Sequence, residues 1–394
     1  MKKENLDLIL KRGVASLINE ESLSQKLSSG KQLRIKYGID PTTKDLHLGY
    51  WVILRKLRKM QDLGHKVVLL IGGFTARFGD PTDKIKARTL RDKNEVSDAA
   101  KNYLEQVKGI LDFDENKLEI RDNSEWYDKM SAEELLKLLS NFSHSQLIER
   151  DMFQERLKNK QEIRAHELAY PILQGYDSVE IHSDIAFGGM DQTFNELTGR
   201  SLQIKFKQAP QDLVFLKMIP GIDGTNLMSQ SADNIVKLKS DSREQFAKIM
   251  SIPDSIMPVY FESLTDIAED EYETKIKSDP RGAKIILAQS IVEEIWGEEK
   301  AAEAKIYFES VFSKRELNEA EIAEVEIKTG EYTLKDLLVE LKLASSKSES
   351  SRLIEQKAVE IDNELKINPL EKVKIQGGEI VKVGKYRLVK IKTN

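Results

Sequence analysis

The residues with most chemical promise in this 394-residue chain fall in four short stretches. In AYPILQGYDSV, Tyr170, Gln174 and Asp177 are spaced four and three apart, which puts a phenol, an amide and a carboxylate on one helix face among apolar neighbours. Polar groups converging in apolar surroundings either hydrogen-bond a ligand or form a buried structural network. In GGMDQTFN, Gly188 and Gly189 precede adjacent Asp191 and Gln192. Glycines permit a close approach, and a carboxylate there can take a pair of ribose hydroxyls. DPTTKDLHLGY sets His47 and Gly49 where a strand, broken at Pro41, gives way to a helix. A helix N-terminus offers unpaired N–H groups and a positive dipole, so it can hold phosphate; a plain capped helix is the alternative reading. GGFTARFGDPTDKIKAR, last, leaves the end of an apolar run: Asp80 can receive an ammonium group, while Lys84, Lys86 and Arg88 either gather around phosphates or form a solvated basic loop.

Other chemistries are missing. Neither GxGxxG nor GxxxxGK[ST] occurs. The histidines at 47, 65, 144, 166 and 182 lack metal-ligand spacing and have no cysteine partners, so no protein metal site is expected. No nucleophile elbow is legible either. What remains suits positioning and charge stabilisation more than covalent catalysis.

The elements that must hold these groups read as α/β. LRIKYGI (33–39), KVVLLIGGF (66–74), LEIRD (118–122), SVEIHS (178–183) and DLVFLKMI (212–219) are strand candidates. A helical pattern runs from His47 through Ile53, Leu57 and Met60 to Gly64. Strands separated by helices imply crossovers and a parallel sheet. From about 240 to 310 the pattern is helical. Five glutamates in 316–326 read as an acidic linker or edge helix. Leu334, Leu337, Leu338 and Leu341 mark a short helix, Ser346 with Glu349 reads as a capping box, and KVKIQGGEIVKVGKYRLVKI as a hairpin about Gly377-Gly378.

Composition narrows the class. With 40% hydrophobic and 32% charged residues this is an ordinary globular chain. Its longest apolar run, Val67 to Phe74, is far short of the ~20 residues that cross a bilayer, so no membrane partner is expected. No apolar stretch of signal-peptide length opens the sequence, and there is no cysteine; both suit a cytoplasmic location. The net charge of −5 argues against DNA as a partner, but residues 332–394 carry 13 Lys/Arg against 9 Asp/Glu, hinting at a small basic module on an acidic body.

Taken in order, the segments resemble bacterial tyrosyl-tRNA synthetases, which are class I aminoacyl-tRNA synthetases. The likeness spans nearly the whole chain and rests on DPTTKDLHLGY, LGHKVVLLIGGFTARFGDPTDK, NSEW, LIERDMF, HELAYPILQGYDSV, GGMDQTFNELTGR and KIMSIPDSIM. SSKSESSRLIEQKAVEIDNELK is similar to a small RNA-binding domain of the S-four type. The resemblance implies a Rossmann-like catalytic domain over 1–222 with an inserted helical dimerisation region around 125–165. A signature loop and helical anticodon-region domain (223–328) and the RNA-binding domain (329–394) follow. It implies activation of L-tyrosine by ATP, with Mg²⁺ delivered on the ATP, transfer to tRNA(Tyr), and a homodimer.

By matching positions, Asp177 reads the substrate phenol, and Asp80, Tyr170 and Gln174 hold the ammonium with Gln192 nearby. Asp191 binds the ribose, Gly38 and Asp40 lie against the adenylate, and Thr42 and His47 touch the phosphates beside Gly49. Lys84 and Arg88 contact pyrophosphate. A carboxylate that demands a phenol rejects phenylalanine because it is otherwise left unpaired, a rule for which enzymes of this family are themselves the reference example.

Two signatures depart from the family pattern. HIGH reads His47-Leu48-Gly49-Tyr50, and KMSKS reads Leu227-Met228-Ser229-Gln230-Ser231, with both lysines gone. Losing one charge-stabilising contact costs ~3 kcal/mol, or ~10²-fold in rate. Lys84, Lys86, Arg88, Lys237 and Lys239 are candidates to compensate. Ser350-Ser351 also stands where the family tends to have a small residue and an arginine. The expected function is therefore a tyrosine-tRNA ligase, since positions 80, 170, 174, 177, 191 and 192 all match. The alternative is a catalytically impaired paralogue that binds RNA or senses tyrosine.

Overall fold

A computed structural model describes residues 3–42, 45–80, 91–313, 323–362, 364–384 and 387–393. The chain falls into two compact units, residues 1–239 with 252–278 and residues 240–251 with 279–394. The first is built on a six-stranded sheet of β1 (Val14–Ile18), β2 (Arg34–Ile39), β3 (Lys66–Ile71), β4 (Leu118–Asp122), β5 (Ile185–Gly189) and β6 (Asp212–Leu216). Their order is β1-β6-β5-β2-β3-β4, parallel throughout except that β1 runs antiparallel to β6. The apolar runs of β3 and β6 are buried on both faces, as parallel strands covered by helices must be.

Chain order reverses between β2 and β5. From β2 the chain proceeds to β3 and β4 on one side, then returns to β5 and β6 on the other. Such a switch point leaves a crevice outside the carboxyl ends of the two strands. Register widens it here. β2 pairs with β3 all the way from Arg34–Lys66 to Ile39–Ile71, but with β5 only at Ile35–Ile185 and Lys36–Ala186.

The helix Leu48–Asp62 starts from a His47 cap and buries Leu48, Trp51, Val52, Leu57 and Met60, which lie round most of its circumference. The helix Ala165–Glu180, which carries Tyr170, Gln174 and Asp177, packs against Thr193–Lys205. Four short helices, Ser124–Tyr127, Ala132–Leu139, His144–Ile148 and Asp151–Lys158, occupy the stretch after β4. Their Trp126, Tyr127, Leu138 and Leu147 join Ile172, Leu173, Val179 and Leu202 in one apolar cluster. The contacts divide the chain differently from the boundary drawn at 222. Residues 252–278 stay with the first unit because Arg12 Nη2 donates to the Phe261 carbonyl at 3.0 Å, Tyr260 Oη to the Pro220 carbonyl at 2.7 Å, and Arg55 pairs with Asp266 at 3.1 Å.

In the second unit the helices Ser242–Met250, Pro280–Trp296 and Glu298–Ser313 pack together. Its strands are β7 (Glu324–Ile327), β8 (Gly330–Thr333), β9 (Val359–Ile361), β10 (Glu364–Lys366), β11 (Lys372–Ile375), β12 (Ile380–Val383) and β13 (Arg387–Thr393). They form one sheet in the order β10-β9-β12-β13-β7 and a β11-β8 pair, over a core that includes Leu334, Leu337, Leu338, Ile354 and Val381.

Four local expectations are corrected. Residues 178–180 finish a helix instead of starting a strand: Ile181 and Ser183 N–H groups donate back to the Asp177 and Ser178 carbonyls, and the strand begins at Ile185. Val179 and Ile181 alternate like a strand, but burial of Ile172, Leu173 and Val179 follows the helical period. Gly377-Gly378 does not close a hairpin, since β11 pairs with β8; the hairpin is β12 with β13, turning at Gly384. The acidic stretch, as far as it is described, is the strand β7, parallel to β13. Ser346 Oγ does cap its helix, accepting from the Glu349 N–H at 3.2 Å, but the Glu349 carboxylate turns to the Ser345 N–H, so the reciprocal half of the box is absent.

Leu57 is fully buried between helix and sheet. Leu57→Ala is expected to destabilise the protein by about 2–5 kcal/mol, seen as a lower urea midpoint with an unchanged slope.

Candidate active site

Where β2 and β5 part, a cleft of about 470 Å³ opens, lined on the strand side by Tyr37, Gly38, Ile39, Phe187, Gly188 and Gly189. One end is walled by the helix Ala165–Glu180. There Asp177, 2% exposed, accepts hydrogen bonds from Asn123 Nδ2 at 3.2 Å and Trp126 Nε1 at 3.1 Å. Burial lifts its carboxyl from the ordinary aspartate value to about 7, against the opposing pull of Lys36 and of the N–H donors.

Nearer the mouth, Tyr170 Oη donates to Asp40 Oδ2 at 2.7 Å, and Thr75 Oγ1 donates to the other Asp40 oxygen at 2.8 Å. Burial keeps the Tyr170 phenol protonated well above its usual range, so it remains a donor to Asp40 with an oxygen lone pair to spare. Gln192 Nε2 donates to Asp80 Oδ2 at 3.0 Å and to Asp191 Oδ2 at 2.8 Å, and Gln192 Oε1 accepts from Gln174 Nε2 at 3.1 Å. Two hydrogen-bonded groups thus line the cleft, Tyr170 and Thr75 on Asp40, and Gln174, Asp80 and Asp191 about Gln192. Gly72 makes room for the first: a Cβ there would lie 1.8 Å from Asp40 Oδ1.

At the other end stand Thr42, His47, Gly49, Met228 and Ser229. Burial lowers His47 to about 4, so the ring is neutral. Its Nδ1 accepts from the Gly49 N–H at 3.2 Å, which leaves the Nε2–H as a donor. Only glycine fits at 49, because a Cβ would lie 2.9 Å from that imidazole. Tyr50, where the signature has its second histidine, sets its ring centroid 4.7 Å from that of His47 and edge-on to Tyr103 at 6.3 Å.

The LMSQS segment reaches the same place. Leu227, Met228 and Ser229 line the cleft, and Gln230 Nε2 donates to the Asp45 carbonyl at 2.9 Å. Downstream, the Leu48 N–H donates to the Val236 carbonyl and the Leu238 N–H to the Leu46 carbonyl, an antiparallel bridge that sets Lys237 opposite His47. Lys237 Nζ lies 2.9 Å from Asp45 Oδ2. Lys239 points elsewhere, toward the Lys108 carbonyl at 3.5 Å. Lys84, Lys86 and Arg88 lie outside the described residues, and the side chain of Ser231 is not described.

Sequence reasoning missed the cleft groups Lys36, Thr75, Asn123 and Glu196 as candidates, and Trp126, which bonds Asp177 from behind the lining. A lysine inside the apolar run LRIKYGI was the available signal for Lys36, because a charge on a central strand must have a partner. Asn123 and Trp126 belong to the NSEW segment, noted there only as part of a resemblance.

Residues 28–313 match the family model described as tRNA synthetases class I (W and Y). The chain is 43% identical over 389 residues to the tyrosine--tRNA ligase of Thermotoga maritima, covering 97% of this chain and 96% of that one. It is 41% identical over 395 residues to the corresponding ligase of Francisella tularensis, covering 99% and 98%. The chain belongs to the class I tyrosyl-tRNA synthetases. The fold agrees with that of a C-terminally truncated Aspergillus nidulans mitochondrial tyrosyl-tRNA synthetase, with a TM-score of 0.66, 20% identity, and coverage of 79% of this chain and 95% of that one.

The raised carboxyl gives this synthetase a pH signature. Asp177 titrates near 3.8 when unfolded and near 7 in the fold. Between those values the folded state holds the extra proton, so stability falls as pH rises. Asp177→Asn removes that dependence. The variant is expected to gain stability relative to wild type from pH 4 to pH 7, measured by urea unfolding at each pH; a constant difference would contradict the assignment.

Proposed function

We infer that the chain is a tyrosine-tRNA ligase that activates L-tyrosine with ATP and transfers the tyrosyl group to tRNA(Tyr). The carrying observation is the acceptor geometry of the cleft, a buried carboxylate at the helix Ala165–Glu180 with Tyr170 on Asp40 and a hydrogen-bonded set of Gln174, Gln192 and Asp80 beside it, in a chain with about 40% identical ligase relatives. Asp177 takes the phenol O–H. Tyr170, Gln174 and Asp80 receive the α-ammonium, with Gln192 beside them.

The substrate carboxylate then attacks the α-phosphorus of ATP, the bond to the β-phosphate breaks, and pyrophosphate leaves. In the second step a hydroxyl of the terminal tRNA ribose attacks the carbonyl and AMP leaves. Neither step requires a covalent enzyme intermediate; the work is positioning and charge stabilisation. Gly38 and Asp40 lie against the adenylate and Asp191 takes the ribose. A Cβ on Gly38 would meet nothing within 4 Å, so that lane is open for a flat ligand. Thr42 and the Nε2–H of His47 meet the phosphates beside Gly49, at the positive end of a helix dipole. Lys84 and Arg88 are assigned to stabilise pyrophosphate, and Mg²⁺ arrives on the ATP. Lys237 supplies the charge missing from LMSQS: it sits opposite His47, so both side chains leave the same face of the bridge.

Residues 329–394 are assigned to RNA binding, and two copies are proposed to pair through the region around 125–165, where Leu136 and Leu157 are exposed. No helix among the described residues is long and apolar enough to cross a membrane, and the reaction's partners suit a cytoplasmic location.

Tyrosine-dependent ATP–pyrophosphate exchange on purified protein is the test. Clear exchange, abolished by Asp177→Ala, is expected; tyrosine binding with no exchange would sink the activation reading and favour a tyrosine-sensing paralogue. Lys237→Ala is expected to lower the exchange kcat about ten- to hundredfold with the tyrosine KM unchanged, and Lys237→Arg to restore much of it. An unchanged kcat would remove Lys237 from the phosphate site.

A further inference from the structure

Lys36 sits on β2 with 1% of its surface exposed, on the wall of the cleft. Its ammonium donates to Ser178 Oγ at 2.8 Å and to the two Glu196 oxygens at 3.0 and 2.9 Å. Three donors are thereby used, so Lys36 has no N–H left for a ligand. Its charge is felt at Asp177, and its hydrogen bonds reach the ammonium end of the cleft through Glu196.

Glu196, also buried, accepts from two more side chains, Gln211 Nε2 at 2.9 Å and Gln174 Nε2 at 3.1 Å. A carboxylate can only accept, which constrains Gln174. Its NH₂ end must face Glu196 and its carbonyl must face away. The second N–H of Gln174 goes to Gln192 Oε1 at 3.1 Å, while Gln174 Oε1 accepts from Asn195 Nδ2 at 2.8 Å and keeps one lone pair. The orientation is passed on. With its oxygen held by Gln174 and Asn195, Gln192 turns its own NH₂ to Asp80 and Asp191. A flipped Gln174 would set its carbonyl against the Glu196 carboxylate and present N–H groups to an incoming cation.

We propose that the buried Lys36–Glu196 pair is a positioning device that fixes the amide orientation of Gln174, and through it Gln192, so that acceptors face the amino group of the substrate. The inference rests on the assignment of Gln174 to the ammonium subsite and names what makes that subsite an acceptor. Stability alone does not account for the pair, because buried ion pairs are often replaced by apolar residues at no loss.

The test compares the Kd of L-tyrosine with that of 3-(4-hydroxyphenyl)propionate, which keeps the phenol and carboxylate but lacks the amino group. Lys36→Met/Glu196→Leu removes both charges together and leaves neither unpaired. It is expected to weaken tyrosine about ten- to hundredfold, the range for one charge-assisted hydrogen bond, and the desamino compound less than about threefold. Glu196→Gln, which keeps the volume, is expected to shift the ratio of the two Kd values in the same direction by a smaller factor, and it decides the matter if the double variant does not fold. Equal losses for both compounds would make the pair a structural element only, and no loss for either would make it irrelevant to the site; each overturns the proposal. A wild type that fails to prefer tyrosine over the desamino compound would overturn the ammonium subsite itself, and this proposal with it.

Discussion

β2 and β5 stay hydrogen-bonded only at Ile35–Ile185 and Lys36–Ala186, and every group in the cleft takes its place from the parting that follows. Had the register continued, Gly38 and Gly188 would be sheet interior. Because it stops, the carboxyl ends of two central strands become walls, and the helices that follow them deliver side chains across the gap. The last residue of β2 paired with β5 is Lys36, whose charge is answered by Glu196 from the helix after β5. The point where the sheet opens is therefore also the point where a buried ion pair ties its two sides together.

The cleft is electrostatically divided. Toward the helix Ala165–Glu180 it presents Asp40, Asp80, Asp177, Asp191 and Glu196, most of them already accepting from an amide, a phenol or an indole. Toward the helix Leu48–Asp62 it presents the positive end of a helix dipole, a neutral imidazole and the flank carrying Lys237. An ammonium suits the first end and phosphates suit the second.

Much of this was legible along the chain. Tyr170, Gln174 and Asp177 declared themselves by helical spacing, and the structure brings them to one wall. Gly188, Gly189, Asp191 and Gln192, close together in the sequence, all line the cleft. Local patterns misled where two periods overlap: Val179 and Ile181 alternate like a strand yet belong to a helix end, and the Gly377-Gly378 pair turns the chain without closing a hairpin. Lys36 and Glu196 were passed over because each lies in an element whose neighbours explain it, and neither shows its partner 160 positions away.

The sequence by itself determined the fold class, the family and the chemical types at the site, because apolar periodicity and short motifs are local properties of the chain. Only the tertiary structure decided where the sheet opens, that Lys237 comes to lie opposite His47, and that Gln174 turns its NH₂ to Glu196 and its carbonyl to Asn195. Those outcomes depend on register and on contacts between segments far apart in sequence. A hydrogen-bond donor or acceptor acquires its direction only when the group it must face has been brought to it.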